Sequence, residues 1–196
     1  MYLKNLLYIL EHKKNVFKAC WKRKLYLHAF MHDISKFRPS EFVPYAKWFY
    51  GNSGMQMKNL IEASGQEYKE SKLILMAISN EVTKSEFEHA LEDHYKKNKH
   101  HWNHWYDKEN NICKDMPRKY IMQMICDWEA MSYKFGGSPQ EFYINNYDNI
   151  KLSLNSRVML EYELGLIDNA CLLSNVTLKD YCTDMNIELS NVLNAQ

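Results

Sequence analysis

Apolar residues recur at helical spacing from the start of the chain. The period of three to four residues places these side chains on one face of a helix. The residues that follow it are Leu3, Leu6, Leu7, Leu10, Phe17 and Cys20. The pattern predicts a first helix over residues 2–23, with His12 inside it.

Similar patterns predict helices along most of the remaining chain. For the third helix, Ser40 is the expected N-cap, Pro44 falls in the first turn and Gly51 is the expected C-cap. The predicted helical segments after the first are residues 24–37, 39–51, 67–98, 116–137, 138–147 and 155–167. Polar stretches predict loops at 51–66 and 98–116, and no stretch predicts a strand convincingly. The expected fold class is therefore all-α.

Length and composition point to an ordinary globular protein. A chain of 196 residues, 46% hydrophobic and 25% charged, is long enough for one domain with a sizeable core. We expect that domain over residues 1–165, with a tail at 166–196 packed on it. A formal net charge of +1 gives no strong signal for nucleic acid or an anionic membrane.

Cysteine usage favours a reducing compartment. The chain has five cysteines, an odd number, and no C-x-x-C pair, which argues against a disulfide framework and a cysteine-based zinc site. Charged residues interrupt the apolar start too often for a signal peptide or a membrane span. The expected location is the cytoplasm, without membrane attachment.

The sequence HDISKF at residues 32–37 carries the first candidate chemistry. Imidazole and carboxylate groups suit iron, manganese and zinc. In a helix, neighbouring side chains diverge by roughly 100°, so His32 could face one ion while the Asp33 carboxylate bridges two. Lys36 shares their face and could hold a phosphate oxygen or stabilise developing charge.

With later residues added, the pattern resembles the HD-domain superfamily of metal-dependent phosphohydrolases, in its two-metal version. The stretches HKKNVFKAC, HDISKFRPSEFVPYAKWFYG, HYKKNKHHWNHW and MPRKYIMQMICDWEAMSYKFGG are closer still to the uncharacterised DUF5662 family, over roughly residues 12–137. The resemblance implies an HD-domain-like helical bundle with a histidine and aspartate metal site. The implied ligands are His12, His32, Asp33, His94, His101 and Asp127.

Several of these ligands have competitors or ordinary structural explanations. His28 and His32 are four residues apart and could clamp one ion by themselves. In the loop, His100 is the second choice after His101, and His104 is expected to pack or face solvent. Asp127 lies in an otherwise apolar helix, where a buried carboxylate needs a partner such as a metal. Lys36 could equally be a plain surface lysine.

The leading functional expectation is a metal-dependent phosphohydrolase acting on a small phosphomonoester or nucleotide. One or two divalent ions of Fe, Mn, Zn, Co or Ni would hold a bridging hydroxide as the nucleophile, with Asp33 and Lys36 as the catalytic residues. A di-iron oxygenase could use the same ligands. A non-catalytic interaction module is the third hypothesis, with a structural metal and a docking surface at EFVPYAKWFYG. The sequence has no G-x-S-x-G motif and no glycine-rich phosphate loop. It therefore gives no support for a serine nucleophile or for a phosphate-binding loop.

Overall fold

Helices dominate the computed structural model, which describes residues 1–51, 70–185 and 187–194. The predicted all-α class is confirmed. The α-helices are α1 (Tyr2–Lys22), α2 (Tyr26–Met31), α3 (Pro39–Tyr50), α4 (Glu70–Lys97), α5 (Arg118–Phe135), α6 (Pro139–Asn145), α7 (Leu154–Glu163), α8 (Asn169–Ser174) and α9 (Leu178–Asp184). Within the described ranges, no helix combines the length and apolarity that crossing a bilayer requires.

The chain divides into two compact units. The first unit consists of Met1–Lys13 and Asp33–Lys97, and the second of Lys14–His32 and Asn98–Gln196. Helix α1 contributes residues to both. The division falls between the adjacent residues His32 and Asp33, which are called the dyad below.

In the first unit, α3 packs against α4 through aromatic side chains. Tyr45, Trp48 and Phe49 each contact Phe87, with ring centroids 5.0, 5.5 and 5.3 Å apart. Aromatic pairs at these separations contribute beyond the area that they bury. This packing fixes the position of α3, and α3 carries a residue that matters at the site described below.

The start of α3 differs from the prediction. The helix begins at Pro39 with Arg38 as its N-cap, so Ser40 is not the cap and Pro44 lies in the helix interior. Proline is favoured at the first helical position because it has no N–H to leave unsatisfied there. Gly51 is the C-cap as expected, and its N–H bonds to the carbonyl of Lys47. The loop predicted at 51–66 lies outside the described residues, apart from Gly51.

The segment 24–37 is not the continuous helix that its composition predicts. Helix α2 ends at Met31, Asp33 adopts a left-handed conformation with φ 52° and ψ 28°, and a 3₁₀ helix follows at Ile34–Phe37. A left-handed residue interrupts an α-helix, and aspartate tolerates that conformation better than most residues. The 100° divergence expected of helical neighbours therefore does not describe His32 and Asp33.

The second unit has two apolar clusters. Small residues pack closely where α1, α2 and α5 meet: Val16, Ala19, Cys20, Ala29, Cys126 and Ala130. The larger cluster joins α5, α6 and α7 with the C-terminal region, including Leu166, Leu178 and Cys182. These contacts hold the middle of α5, and with it Asp127, in a fixed position.

The stretch 98–116 contains more regular structure than the predicted loop. A 3₁₀ helix spans Trp102–Trp105, and a two-residue antiparallel ladder pairs Tyr106–Asp107 with Ile112–Cys113. The strands were not predicted because two residues are too few to show an alternating pattern. Trp102 and Trp105 pack against the larger apolar cluster.

Candidate metal-binding clusters

The Asp33 cluster lies in the first unit and consists of His12, Asp33, Lys36, Glu41 and His94. Asp33 is 4% exposed, and a histidine ring lies near each of its two carboxylate oxygens. The Nε2 atom of His94 lies 3.4 Å from Oδ1, and the Nε2 atom of His12 lies 3.9 Å from Oδ2. One carboxylate therefore faces two imidazoles through different oxygens, the arrangement that a bridging ligand requires.

Helix α1 presents His12 from its buried face. His12 is buried together with Asn5 and Ile9, which lie seven and three residues earlier and thus on the same helical face. The Asn5 side-chain amide donates to the backbone carbonyl of Phe42 at 3.1 Å, which ties α1 to α3. The ring of Tyr8 stacks on that of His12 with an interplanar angle of 5°.

His94 is held at its other ring nitrogen by a buried carboxylate. Nδ1 of His94 lies 2.8 Å from Oε2 of Glu41, and the Ser35 hydroxyl donates to the same oxygen at 3.0 Å. Burial lowers the pKa of His94, but hydrogen bonds to Asp33 and Glu41 outweigh burial, so that the pKa is raised. A histidine with one nitrogen on a carboxylate and the other directed at a ligand position is typical of metal sites.

Lys36 completes the Asp33 cluster. Its ammonium group forms an ion pair with Oδ2 of Asp33, three residues earlier in the 3₁₀ turn. The Lys36 side chain is only 18% exposed. The lysine therefore lies beside the carboxylate as the sequence suggests, although the turn that brings them together is not an α-helix.

The His32 cluster lies in the second unit and consists of His28, His32, His100 and Asp127. Nδ1 of His32 lies 3.2 Å from Nε2 of His28, and Nε2 of His32 lies 3.5 Å from Oδ1 of Asp127. Ligand atoms of His28, His32 and His100 all lie within 4.8 Å of one another. His32 is 1% exposed and His100 is 4% exposed.

The loop histidines occupy different environments. The rings of His100 and His101 are neighbours, with centroids 4.1 Å apart, but the His100 ring is the one that lies beside His32, at 4.6 Å. His104 is half-buried against Trp105. Within the second unit, His100 is thus better placed than His101 to act together with His32.

A family model described as "Family of unknown function (DUF5662)" matches residues 1–166. The chain belongs to the DUF5662 family. Among curated proteins and among solved structures, none matches the chain. The family match spans every residue of both clusters, while the link to the HD-domain superfamily stays a prediction.

The donor sets of both clusters fit a divalent transition metal. Two ligand atoms about 2.1 Å from one tetrahedral ion lie about 3.4 Å apart. The pairs His94–Asp33 and His32–Asp127 are separated by 3.4 and 3.5 Å. Imidazole nitrogen with carboxylate oxygen is the donor set that Fe, Mn and Zn accept.

Sequence reasoning missed Glu41 and ranked His28 and His100 below other residues. Glu41 is an acidic residue in the first turn of α3, where a solvated side chain next to the helix N-terminus is the ordinary explanation. Its burial at 2% exposed depends on the packing of α3 against α4. A signal was present in that Phe42 and Val43 directly follow Glu41, but this alone does not identify a partner for it.

Proposed function

We propose that this protein is a metal-dependent phosphohydrolase acting on a small phosphomonoester or nucleotide. The observation that carries the proposal is the Asp33 carboxylate, which faces His94 through Oδ1 and His12 through Oδ2. Lys36 lies on the same carboxylate. Metal ligands with an adjacent cation are suited to binding a phosphate ester and to stabilising charge on its oxygens.

The proposed ligands to one or two ions are the residues expected from the sequence. Their members are His12, His32, Asp33, His94, His101 and Asp127, with His100 as the alternative to His101. The pairing of His32 with Asp127 supports that choice, and the position of His100 beside His32 supports the alternative. When bound, such ions lower the pKa of water toward neutrality and stabilise negative charge on phosphoryl oxygens.

The remaining work falls to residues of this chain. The Lys36 side chain is 18% exposed. It can exchange its contact with Asp33 for a contact with a phosphate oxygen, and so orient the ester. A cation held in a poorly solvated position interacts more strongly with developing charge than one in water. The resemblance to HD-type phosphohydrolases supports the reaction class, and the substrate within that class is part of the proposal only as a small phosphate.

Metal analysis of untagged protein, followed by a substrate screen, tests the proposal. We expect one to two equivalents of a transition metal, and turnover of a phosphomonoester or nucleotide in the presence of Mn, Co, Fe or Mg. His104→Ala is the matched control. It removes a histidine that is close in sequence to His100 and His101 but belongs to neither cluster.

Three results would contradict the proposal. A protein that neither carries nor takes up these metals would exclude the metal site. An iron form that consumes dioxygen without hydrolysing any phosphate would favour the oxygenase hypothesis. Metal binding with neither activity would favour the interaction module.

A further inference from the structure

We propose that Glu41 is a positioning residue that holds His94 in the orientation and tautomer needed to bind a metal through Nε2. The inference rests on the metal site of the proposed function, but not on phosphate hydrolysis. It adds to the site a residue that contacts neither an ion nor a substrate directly.

The burial of Glu41 is the first observation. Glu41 is 2% exposed, in the first turn of α3. In the described part of the chain, its carboxylate is bonded to the His94 ring and the Ser35 hydroxyl, and to no lysine or arginine. Burying a carboxylate is unfavourable unless its partners compensate. A role at the imidazole gives this buried carboxylate a physical reason.

The geometry of the His94 ring is the second observation. Nδ1 lies 2.8 Å from Oε2 of Glu41, which accepts the proton there, so Nε2, 3.4 Å from Oδ1 of Asp33, is the nitrogen that would face a metal. Which nitrogen of a histidine binds a metal is set by the hydrogen bond that the other nitrogen makes. A carboxylate partner also makes the imidazole a stronger donor.

Ser35 links this arrangement to the dyad. Its hydroxyl donates to Glu41 at 3.0 Å and lies 3.3 Å from Nδ1 of His94. Ser35 belongs to the 3₁₀ turn that starts immediately after the left-handed Asp33. The turn that orients the Asp33 carboxylate therefore also orients the residue that holds His94.

Calorimetric titration of metal-free protein with Zn²⁺ or Mn²⁺ tests the inference. We expect Glu41→Gln to weaken binding by about 10- to 100-fold, the usual effect of removing such a partner, with the melting temperature of the metal-free protein nearly unchanged. Glu86→Gln is the matched control, since it removes a carboxylate of the same unit whose partner is the exposed Lys47. Its metal affinity should equal that of the wild type.

A double-variant cycle separates positioning from a general structural effect. If Glu41 acts through His94, Glu41→Gln should add little to the loss caused by His94→Ala, because the partner is already gone. Additive losses would overturn the inference, as would unchanged affinity in Glu41→Gln. If His94→Ala itself does not weaken binding, the metal site of the proposed function fails instead.

Two further measurements apply if Glu41→Gln does not fold. Ser35→Ala removes the donor to Glu41 and should weaken metal binding in the same direction, by a smaller factor. In wild-type protein loaded with Zn²⁺, ring ¹⁵N shifts of His94 should show a protonated Nδ1 and a metal-bound Nε2. Unchanged affinity in Ser35→Ala, or metal on Nδ1, would contradict the proposal.

Discussion

The two clusters hold one histidine each in the same way, but with partners of different charge. His94 has Nδ1 on the Glu41 carboxylate and Nε2 facing Asp33, at 2.8 and 3.4 Å. His32 has Nδ1 on the His28 ring and Nε2 facing Asp127, at 3.2 and 3.5 Å. The common arrangement leaves Nε2 directed at an aspartate in both cases.

The difference lies in what supports each ring. A carboxylate increases the donor strength of the imidazole that it holds, whereas a neutral imidazole only orients it. Asp33 also faces two histidines through its two oxygens. We therefore expect the Asp33 cluster to bind metal more tightly than the His32 cluster.

The largest effect is expected from the two aspartates. Asp33→Asn should abolish metal binding or weaken it at least about 1,000-fold, about 4 kcal/mol, because it alters a ligand shared by two histidines. Asp127→Asn should cost less and leave at least one equivalent bound. Asparagine is the suitable replacement at position 33 because it tolerates the left-handed backbone, where φ is 52°. Elemental analysis and calorimetry would measure both variants.

Full metal occupancy in Asp33→Asn would reverse the comparison. The His28 and His32 pair would then be the better account of metal binding, because its ligand atoms do not include the Asp33 carboxylate. Circular dichroism of both variants should remain helical, which excludes unfolding as the cause of a loss.

The next largest effect concerns Lys36, which belongs to the Asp33 cluster. Lys36→Ala should leave metal content unchanged and lower the turnover of a phosphate substrate by about 100-fold, about 3 kcal/mol. The loss should appear in kcat, because the charge that Lys36 meets grows during the reaction. Lys97→Ala is a suitable control, since Lys97 forms an exposed ion pair with Asp93 on α4. A loss of bound metal in Lys36→Ala would instead assign Lys36 to holding Asp33.

The residues of this site differ in how well the sequence predicts them. Some can be identified from local sequence, whereas others owe their position to tertiary packing. His12 and His94 could be named because the stretches HKKNVFKAC and HYKKNKHHWNHW resemble those of a known family, and both rings do lie at Asp33. Glu41 could not be named, because its burial depends on which face of α3 packs against α4, and local sequence does not specify that face. The break in the helix was missed because KLYLHAFMHDISKF has helical composition throughout, while the extended ψ of His32 and the left-handed Asp33 decide the geometry.

Glu161 is buried like Glu41 but lies in the second unit. Its replacement should have an effect of intermediate size. Glu161 in the second unit accepts hydrogen bonds from the Tyr143 hydroxyl and the Leu178 N–H, at 2.6 and 2.7 Å. Neither partner belongs to the Asp33 cluster or the His32 cluster, so Glu161→Gln should lower the free energy of unfolding by about 1–2 kcal/mol without changing metal affinity. Chemical denaturation and calorimetry on one preparation would measure both quantities. A change in metal affinity would show that Glu161 also supports the site.

The cost of Glu161→Gln should depend on pH. Burial raises the pKa of Glu161 above its ordinary value of 4.5, despite the hydrogen bonds from Tyr143 and Leu178. An acid whose pKa is higher in the folded state contributes stability below its unfolded-state pKa and loses that contribution as pH rises through its folded-state pKa. The difference between wild type and Glu161→Gln should therefore be larger at pH 4 than at pH 7. An equal difference at both values would contradict the raised pKa.

The smallest effect is expected at His28 and decides whether its role is that of a ligand or a support. His28→Phe keeps a ring of similar shape but removes the nitrogen 3.2 Å from Nδ1 of His32. If His28 only orients His32, the loss is that of one neutral hydrogen bond, about 1 kcal/mol or fivefold in metal affinity. That loss should be smaller than the one in Glu41→Gln, because the bond to a carboxylate is the stronger of the two. If His28→Phe removes an entire equivalent of metal, His28 is itself a ligand. The His32 cluster would then bind its ion through three histidines, His28, His32 and His100.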